Sequence, residues 1–521
     1  MAVHAPRARP ASVADPAAGG RRGPLAALPR LLADPRRVLL VTAALVAFAA
    51  CVDVLHDPDL WWHLRLGQWI LDTHSVPHTE MFSFSAAGNA MTAHEWGSEV
   101  LFALMARLGG LLMVSLVMAA VAWSGLLALG LRARSRGAGV VAVAVALLLG
   151  ARAAEPVLGT RPQVITVALV CWTLLISERY LARGGRLVWL LPPVVLVWAN
   201  LHGGVVLGVG ALALLLALST LSLLLRRPDA PSAARVRTLG LAVALAAVAG
   251  CLNPNGPGLY RYALATSASE RLKPITEWHS PDFTDPSNLG LLLLLVSFAA
   301  LLALGGRLSL RDLGMSAAGF AAALVAVRNT SLAVALALPA WTSLLHQALT
   351  RYQLWRGGRR KPSRTDESRR IGAQHLVAGA AIIALGATVS GIAIARAAKD
   401  ASPAGVASTY PACAAEALRN VDGTHVVAPY YDSGYLIDQL WPQSHVFLYG
   451  ESASLGTQPF ADYQRIYAGD TDALPHNANA VLTPPGALHD HLAASSAWHQ
   501  ILTDPTGLTL FTTTALQPNP C

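Results

Sequence analysis

Charge is what this sequence is short of. Asp, Glu, Lys and Arg make up 13% of its 521 residues, against 54% hydrophobic, where a soluble domain carries about 25% charged residues. With a mean hydropathy of +0.46, that shortage excludes an ordinary soluble enzyme and points to a chain embedded in lipid. Cysteine is scarce too, at five residues. Cys51, Cys171 and Cys251 lie in or beside apolar runs and read as small buried thiols. Cys413 and Cys521 are placed to form a disulfide if the C-terminal region faces an oxidising compartment; otherwise the terminus is loose. Residues 1–37 have no long apolar core, so no cleavable signal peptide is expected. Their Pro, Ala, Gly and Arg content reads as a disordered basic cytoplasmic tail.

The net charge of +9 is unevenly spread. From Arg396 onward four basic residues face eleven acidic ones, a net −7, so the remainder carries +16. Most of that excess is Arg in short clusters between apolar runs, which suits membrane loops better than the single basic face of a nucleic-acid binder. Nucleic acid is not an expected partner.

A membrane-spanning helix needs roughly 20 apolar residues, because its backbone must satisfy its own hydrogen bonds across the hydrocarbon. Eleven candidates fit, at about 38–55, 111–131, 138–152, 163–180, 187–200, 204–225, 238–252, 289–304, 313–327, 330–348 and 372–395. The Arg-rich segments test that count. The tail, the Arg132/Arg134/Arg136 turn, the Arg179–Arg186 and Arg226–Arg237 links, Arg307/Arg311 and the Arg351–Arg370 loop all fall on one side, the cytoplasm. Residues 396–521 are then extracytoplasmic. The expected architecture is an all-α polytopic membrane core over 38–395, with a long first outer loop at 56–110, and a small α/β domain over 396–521. In that domain strands are expected at 426–427, 445–449, 480–482, 500–502 and 508–512. Helices between them suggest a largely parallel sheet. It contains no GxGxxG, P-loop, zinc-spacing or GxSxG pattern.

The same topology places the polar motifs on one face. His56-Asp57-Pro58-Asp59-Leu60-Trp61-Trp62-His63, Arg161-Pro162-Gln163, Asn200-Leu201-His202-Gly203-Gly204, Asn253-Pro254-Asn255-Gly256, Glu277-Trp278-His279 and Arg328-Asn329 all land outside. A shared outward site accounts for this. Asp57 and Asp59, at i and i+2 around a proline, can aim at one ligand as a base with its neighbour or as a metal pair. They can equally be a solvated loop in which Asp59 caps the next helix. Asp53, at the end of the first span, is a functional suspect or a snorkelling carboxylate. Glu95 and Glu99 share a helix face beside His94. Arg161 and Arg328 are lone outer cations, suited to a phosphate or pyrophosphate through the planar guanidinium, or to a local acid. Metal ligation by His63, His202 and His279 stands against their being hydrogen-bonded loop histidines. Trp61 and Trp62 are expected at headgroup depth on an interfacial helix.

These motifs resemble the GT-C superfamily of membrane glycosyltransferases, which includes protein mannosyltransferases and aminoarabinose transferases. Shared are an acidic motif in a helical first outer loop (Asp57-Pro58-Asp59), a many-helix core and a soluble domain after the last helix. The chain also resembles a group of bacterial membrane proteins without assigned activity. They share a pattern like Asp57-Pro58-Asp59-Leu60-Trp61-Trp62-His63-Leu64, His94-Glu95-Trp96, Arg161-Pro162-Gln163, Asn200-Leu201-His202-Gly203, Leu252-Asn253-Pro254 and Glu277-Trp278. The superfamily resemblance implies sugar transfer from a polyprenyl-phosphate donor to an extracytoplasmic acceptor, in cell-envelope or polysaccharide assembly. Asp57 or Asp59, with Glu95 nearby, would act as general base or help hold a divalent metal. Arg161 or Arg328 would neutralise the lipid-linked phosphate, and the Trp61/Trp62 helix would shape a lipid groove. His63, Asn200, His202, Asn253, Glu277 and His279 complete the expected substrate-binding set. The other reading is a non-enzymatic carrier or envelope assembly factor. A carrier would show internal repeats with helices broken at the membrane midplane, and no repeat is evident.

Overall fold

The computed structural model describes residues 28–52, 57–267, 276–357 and 373–516. Within the described residues, each of the eleven expected apolar segments overlaps a helix. After the short α1 (Leu28–Ala33) come α2 (Pro35–Ala49), α3 (Asp59–Thr73), α4 (Trp96–Ser135), α5 (Val140–Ala154), α6 (Gln163–Arg183), α7 (Leu191–Leu201) and α8 (Val205–Leu224). They are followed by α9 (Ala233–Ala249), α10 (Gly258–Ser267), α11 (Leu289–Ala303), α12 (Leu310–Val325), α13 (Thr330–Gly357) and α14 (Ala373–Asp400). Among the described residues seven helices, not eleven, are long and apolar enough for a full crossing: those containing α4, α5, α6, α8, α11, α13 and α14. Helices α2, α7, α9 and α12 stop at 15, 11, 17 and 16 residues.

The breaks between helices have local causes. In α4 the chain leaves helical geometry at Gly109 and Gly110, whose φ is +67°, a conformation open to glycine at little cost. The first part of α4 is thus a separate loop helix and only the second part is the span. His202 (φ −163°) ends α7 in extended backbone, and Ala326 (φ −153°) does the same for α12. Helix α2 starts at Pro35, slightly inside the expected tail, because Asp34 accepts from Arg36 N at 3.0 Å and proline suits the first helical turn.

Large apolar side chains such as Leu108, Leu224, Val248, Val325 and Leu385 point outward from the helices. A water-soluble protein would not expose so many, whereas lipid solvates them. Helix α14 lies at the periphery against α2. Ser390 Oγ donates to Leu45 O at 2.8 Å, and Gly386 lets the two helices approach, while Gly379 does the same for α14 against Leu32 of α1. This is a multi-pass membrane protein.

The two ends of the core differ in character. At one end Arg132 and Arg136 share the Glu178 carboxylate at 2.5 and 2.8 Å, and Arg136 also reaches Asp312 at 2.6 Å. At the other end lie Asp57, Arg161, Glu277 and Arg328, joined to one another. The Arg-rich turns and the polar motifs are therefore segregated, as the sequence pattern implied.

Beyond α14 come α15 (Pro403–Thr409), α16 (Ala412–Leu418), β1 (Thr424–Val427), α17 (Tyr430–Leu440), β2 (Ser444–Val446), α18 (Ser452–Leu455), α19 (Gln458–Tyr467), β3 (Ala480–Thr483), α20 (Ala487–Ala494), β4 (His499–Thr503) and β5 (Thr509–Thr512). The strands form one sheet in the order β2-β1-β3-β5-β4. The expectation of a largely parallel sheet needs correction. β1 pairs in parallel with β2 and β3, but β5 is antiparallel to both β3 and β4. The turn Asp504–Gly507 between β4 and β5, with Gly507 at φ +86°, is too short for the crossover that parallel strands need. Cys413 is disulfide-bonded; Cys521, its expected partner, lies outside the described residues, as do Asp53 and His56.

The long segment between α3 and α4 completes the sheet. Ser83 bridges Val446 in parallel, with Phe84 N donating to Val446 O at 3.0 Å and Val446 N to Phe82 O at 3.1 Å. Arg65 on α3 donates to the carbonyls of Asp438 and Trp441 at 2.7 and 2.8 Å. The C-terminal domain is thereby fastened onto the first long loop, and α3 is held between α4 and α17.

Close approach of α3 to α4 depends on Gly67, where an added Cβ would overlap the Glu99 carbonyl. Gly67→Ala is expected to cost about 1–3 kcal/mol through overpacking, read as a lower thermal midpoint in detergent. Gly391→Ala, in open space on α14, should leave the midpoint unchanged. Equal midpoints for the two variants would refute this packing.

Candidate active site

The Asp57-Pro58-Asp59 motif ends the link from α2 and starts α3. Its two carboxylates have different surroundings. Asp57 is buried, 3% exposed; its Oδ1 accepts from Asp59 N at 3.0 Å and its Oδ2 pairs with Arg161 Nε. Arg161 stands just before α6 and also donates to Glu277 Oε2 at 2.9 Å. Glu277 Oε1 in turn receives Arg328 at 3.4 Å. The Arg328 guanidinium lies 4.0 Å above the Trp278 ring, within cation–π range. Four motifs scattered over the sequence thus form one chain of alternating charge. Arg161, Arg328 and Glu277 keep side-chain exposures of 28%, 28% and 31%, so this chain is open at one side, with Asp57 at its buried end.

Burial pushes the Asp57 carboxyl up to about 7, the neighbouring Arg161 guanidinium offsetting part of that rise. A carboxyl held near neutrality is suited to accept a proton at physiological pH. Asp59 is less enclosed; its Oδ1 accepts from Trp62 Nε1 at 3.1 Å.

A second polar cluster sits on the other side of α3. His63 lies between Glu99 Oε1, 3.2 Å from Nδ1, and Glu95 Oε2, 3.5 Å from Nε2. Glu95 Oε1 reaches His202 Nε2 at 2.9 Å and His94 Nε2 at 3.4 Å. His202 is fixed by Thr166 Oγ1 at 2.7 Å and by the Gly204 amide at 2.9 Å, both at its Nδ1. Burial opposes a charge on His94, but the Glu95 carboxylate overrides it and raises His94 to about 9. Burial likewise opposes ionisation of Glu95, and His94 and His202 together hold it well below the usual carboxylate range. The expected catalytic trio is therefore divided: Asp57 and Asp59 stand with the arginines, Glu95 with the histidines.

Asn200 and Asn253 are occupied by the backbone. Asn200 Nδ2 donates to Leu196 O and Leu252 O, both at 2.9 Å, and its Oδ1 accepts from Trp96 Nε1 at 3.2 Å. Asn253 closes its own turn through Gly250 O at 2.8 Å and Gly256 O at 3.1 Å. These two clamp helix ends rather than face the carboxylates. His279 is exposed, and its backbone carbonyl receives Val327 N at 2.9 Å. That bond ties the Glu277 segment to the Arg328 turn.

Trp61 and Trp62 are not at an interface. Both are 4% exposed, with Trp61 edge-on to Tyr410 and Tyr435 at 5.1 and 5.0 Å and Trp62 edge-on to Tyr449 at 5.5 Å. The C-terminal domain covers the helix face that the sequence assigned to lipid, and burying two indoles against tyrosines favours that arrangement. The contribution of this domain is what sequence reasoning missed. Its Gly434 and Gly450 lie so close to the Asp-Pro-Asp motif that a Cβ would overlap the Pro58 carbonyl or the Asp59 carboxylate. Glu451 follows directly and is buried among His94, Glu95, Glu99 and His63, with burial raising its carboxyl to about 7. A usable signal existed: segments 428–434 and 447–451 follow the carboxyl ends of parallel strands, where open α/β sheets place ligands.

No family model and no curated protein matches the chain. Solved structures do. The oligosaccharyltransferase of Archaeoglobus fulgidus in its apo form is similar over 86% of this chain and 69% of its own, at TM-score 0.55 and 13% identity. ArnT from Cupriavidus metallidurans bound to undecaprenyl phosphate is similar over 93% of this chain and 99% of its own, at TM-score 0.54 and 14% identity. The archaeal enzyme AglB, in complex with an inhibitory peptide and a dolichol-phosphate, is similar over 86% of this chain, at TM-score 0.55 and 10% identity. The fold is that of GT-C glycosyltransferases.

Arg161→Gln is expected to destabilise the protein more than Glu277→Gln does. It strands the buried Asp57, and breaking a buried pair costs about 3–5 kcal/mol, less here because Arg161 is partly wet. Adding Asp57→Asn to Arg161→Gln should recover part of the loss. A double variant no more stable than Arg161→Gln in detergent melts would show that the pair is not coupled.

Proposed function

We propose that this chain is a membrane glycosyltransferase that moves a sugar from a polyprenyl-phosphate donor to an extracytoplasmic acceptor in cell-envelope or polysaccharide assembly. The observation that carries the reading is the chain Asp57–Arg161–Glu277–Arg328 at one end of a GT-C core, a proton acceptor beside two guanidinium groups. Similar structures hold dolichol-phosphate or undecaprenyl phosphate, which supports a lipid-phosphate donor here. The orientation that goes with this reading has the N-terminus in the cytoplasm and the Asp57 loop and C-terminal domain together on the outer side.

The chemistry assigns each group a task. Asp57 removes the proton from the acceptor hydroxyl as its oxygen attacks the anomeric carbon. The bond from that carbon to the phosphate oxygen breaks, and the polyprenyl phosphate departs with the electron pair. Arg161 and Arg328 face the charge that develops on the phosphate, where fixed cations in a partly dry site stabilise the transition state more than the ground state. Glu277 holds the two guanidinium groups apart and oriented. Asp59 donates its backbone N–H to Asp57 and keeps that carboxylate aimed.

Purified protein assayed with polyprenyl-phosphate sugars tests the assignment. Asp57→Asn should lower turnover by about 10²–10⁴-fold, the usual contribution of a general base, with the fold intact by circular dichroism. Because the base works only when deprotonated, wild-type turnover should rise with pH through about 7, the value to which burial brings Asp57. Full turnover by Asp57→Asn would defeat the reading and leave a carrier or assembly role. Sidedness is tested separately. Single cysteines placed in the loop after Asp57 and beyond Arg396 should be labelled from the same face of the membrane.

A further inference from the structure

We propose that His63, Glu95 and Glu99 form a binding site for one divalent transition-metal ion, separate from the Asp57–Arg161 centre. The donor atoms of these three residues all lie within 4.8 Å of one another, and all three residues are buried. Ligands around an ion bound at about 2.0–2.2 Å need little more than side-chain adjustment from such spacings.

Two further observations point to a cation. Glu99 Oε2 and Glu451 Oε1 are buried without a hydrogen-bond partner. A buried carboxylate oxygen left unpartnered carries a desolvation cost that a cation removes. The charge balance has the same sign. Glu95, Glu99 and Glu451 bring three carboxylates into one buried group, and the groups facing Glu451 there are His94, His63 and the other two carboxylates. No arginine or lysine forms an ion pair with any of the three among the described residues.

The acidic motif itself is a poorer host. Asp57 has spent one oxygen on a backbone amide and the other on Arg161, and Asp59 accepts from Trp62. The ligand chemistry narrows the ion. One imidazole with carboxylates suits Zn²⁺ or Mn²⁺, whereas Mg²⁺ keeps its waters and prefers oxygen. Glu451 adds negative charge from the C-terminal domain, so a bound ion ties that domain to the α3–α4 helix pair.

The site can be read without any transfer assay, so its failure is distinct from failure of the proposed reaction. Full-length protein in detergent is stripped with a chelator, dialysed, and titrated with Zn²⁺, Mn²⁺ or Mg²⁺. Metal content is read by elemental analysis and the thermal midpoint by intrinsic fluorescence. Wild type should retain about one equivalent of Zn²⁺ or Mn²⁺ and melt higher with it, while Mg²⁺ gives neither effect. Glu99→Gln, close in shape, should lose the bound ion and the metal-dependent part of the midpoint, whereas Asp57→Asn keeps both. Absence of stoichiometric metal in wild type, or equal binding by Glu99→Gln, would overturn the proposal. If Glu99→Gln fails to fold, the stripped wild type decides alone: a midpoint indifferent to added Zn²⁺ and Mn²⁺ refutes the site.

Discussion

A carboxylate withdrawn from water must find a cation, and Asp57 finds its own 104 residues away on the approach to α6. Much of the architecture serves that meeting. The link from α2 delivers Asp57 to the end of the membrane core, α6 presents Arg161, and the segment before α11 supplies Glu277 to steady the guanidinium. The helices need no charge of their own within the bilayer. Charge is expelled to the ends, and at one end it is organised into a chain that neither lipid nor bulk water solvates fully.

The C-terminal domain turns that end into an enclosed space. Its α17 lies along α3, its β2 edge takes a β-bridge from the first loop, and Gly434 and Gly450 permit contact with the Pro58 carbonyl and the Asp59 carboxylate. The indoles of Trp61 and Trp62 fill the seam between the two parts. The division of acidic groups follows from the position of α3, whose start bears Asp57 and Asp59 while His63, one turn on, turns toward Glu95 and Glu99. One short helix thereby separates a centre rich in arginine from one rich in histidine.

The membrane core was legible because its signal is additive. Each apolar run declares itself, and the arginine turns independently report which ends lie together. The grouping of Asp57, Arg161, Glu277 and Arg328 was readable for the same reason, since topology alone puts them on one face. What topology could not supply was distance, so the pairing of Asp57 with Arg161 rather than with Glu95 became visible only in three dimensions. Asn200 and Asn253 looked like site residues because a polar side chain in an apolar stretch is conspicuous. A helix end in a membrane protein needs such a clamp just as much. Glu451, Gly434 and Gly450 went unread because their role exists only across the interface with a segment more than 350 residues earlier, as the bond from Ser85 to Phe447 shows by its separation of 362. The antiparallel β5 escaped because a short apolar run carries no mark of strand direction.

The strand bond between Ser83 and Val446 sets an order on assembly. The ribosome delivers the loop well before its sheet partner, so over that interval the acidic motif waits without its cover. A polypeptide that terminates before β2 retains α2 to α14 yet lacks the wall that closes over α3. Arrival of β2 and its neighbours is thus itself the event that shuts the chamber, and no copy cut short before them carries a finished centre.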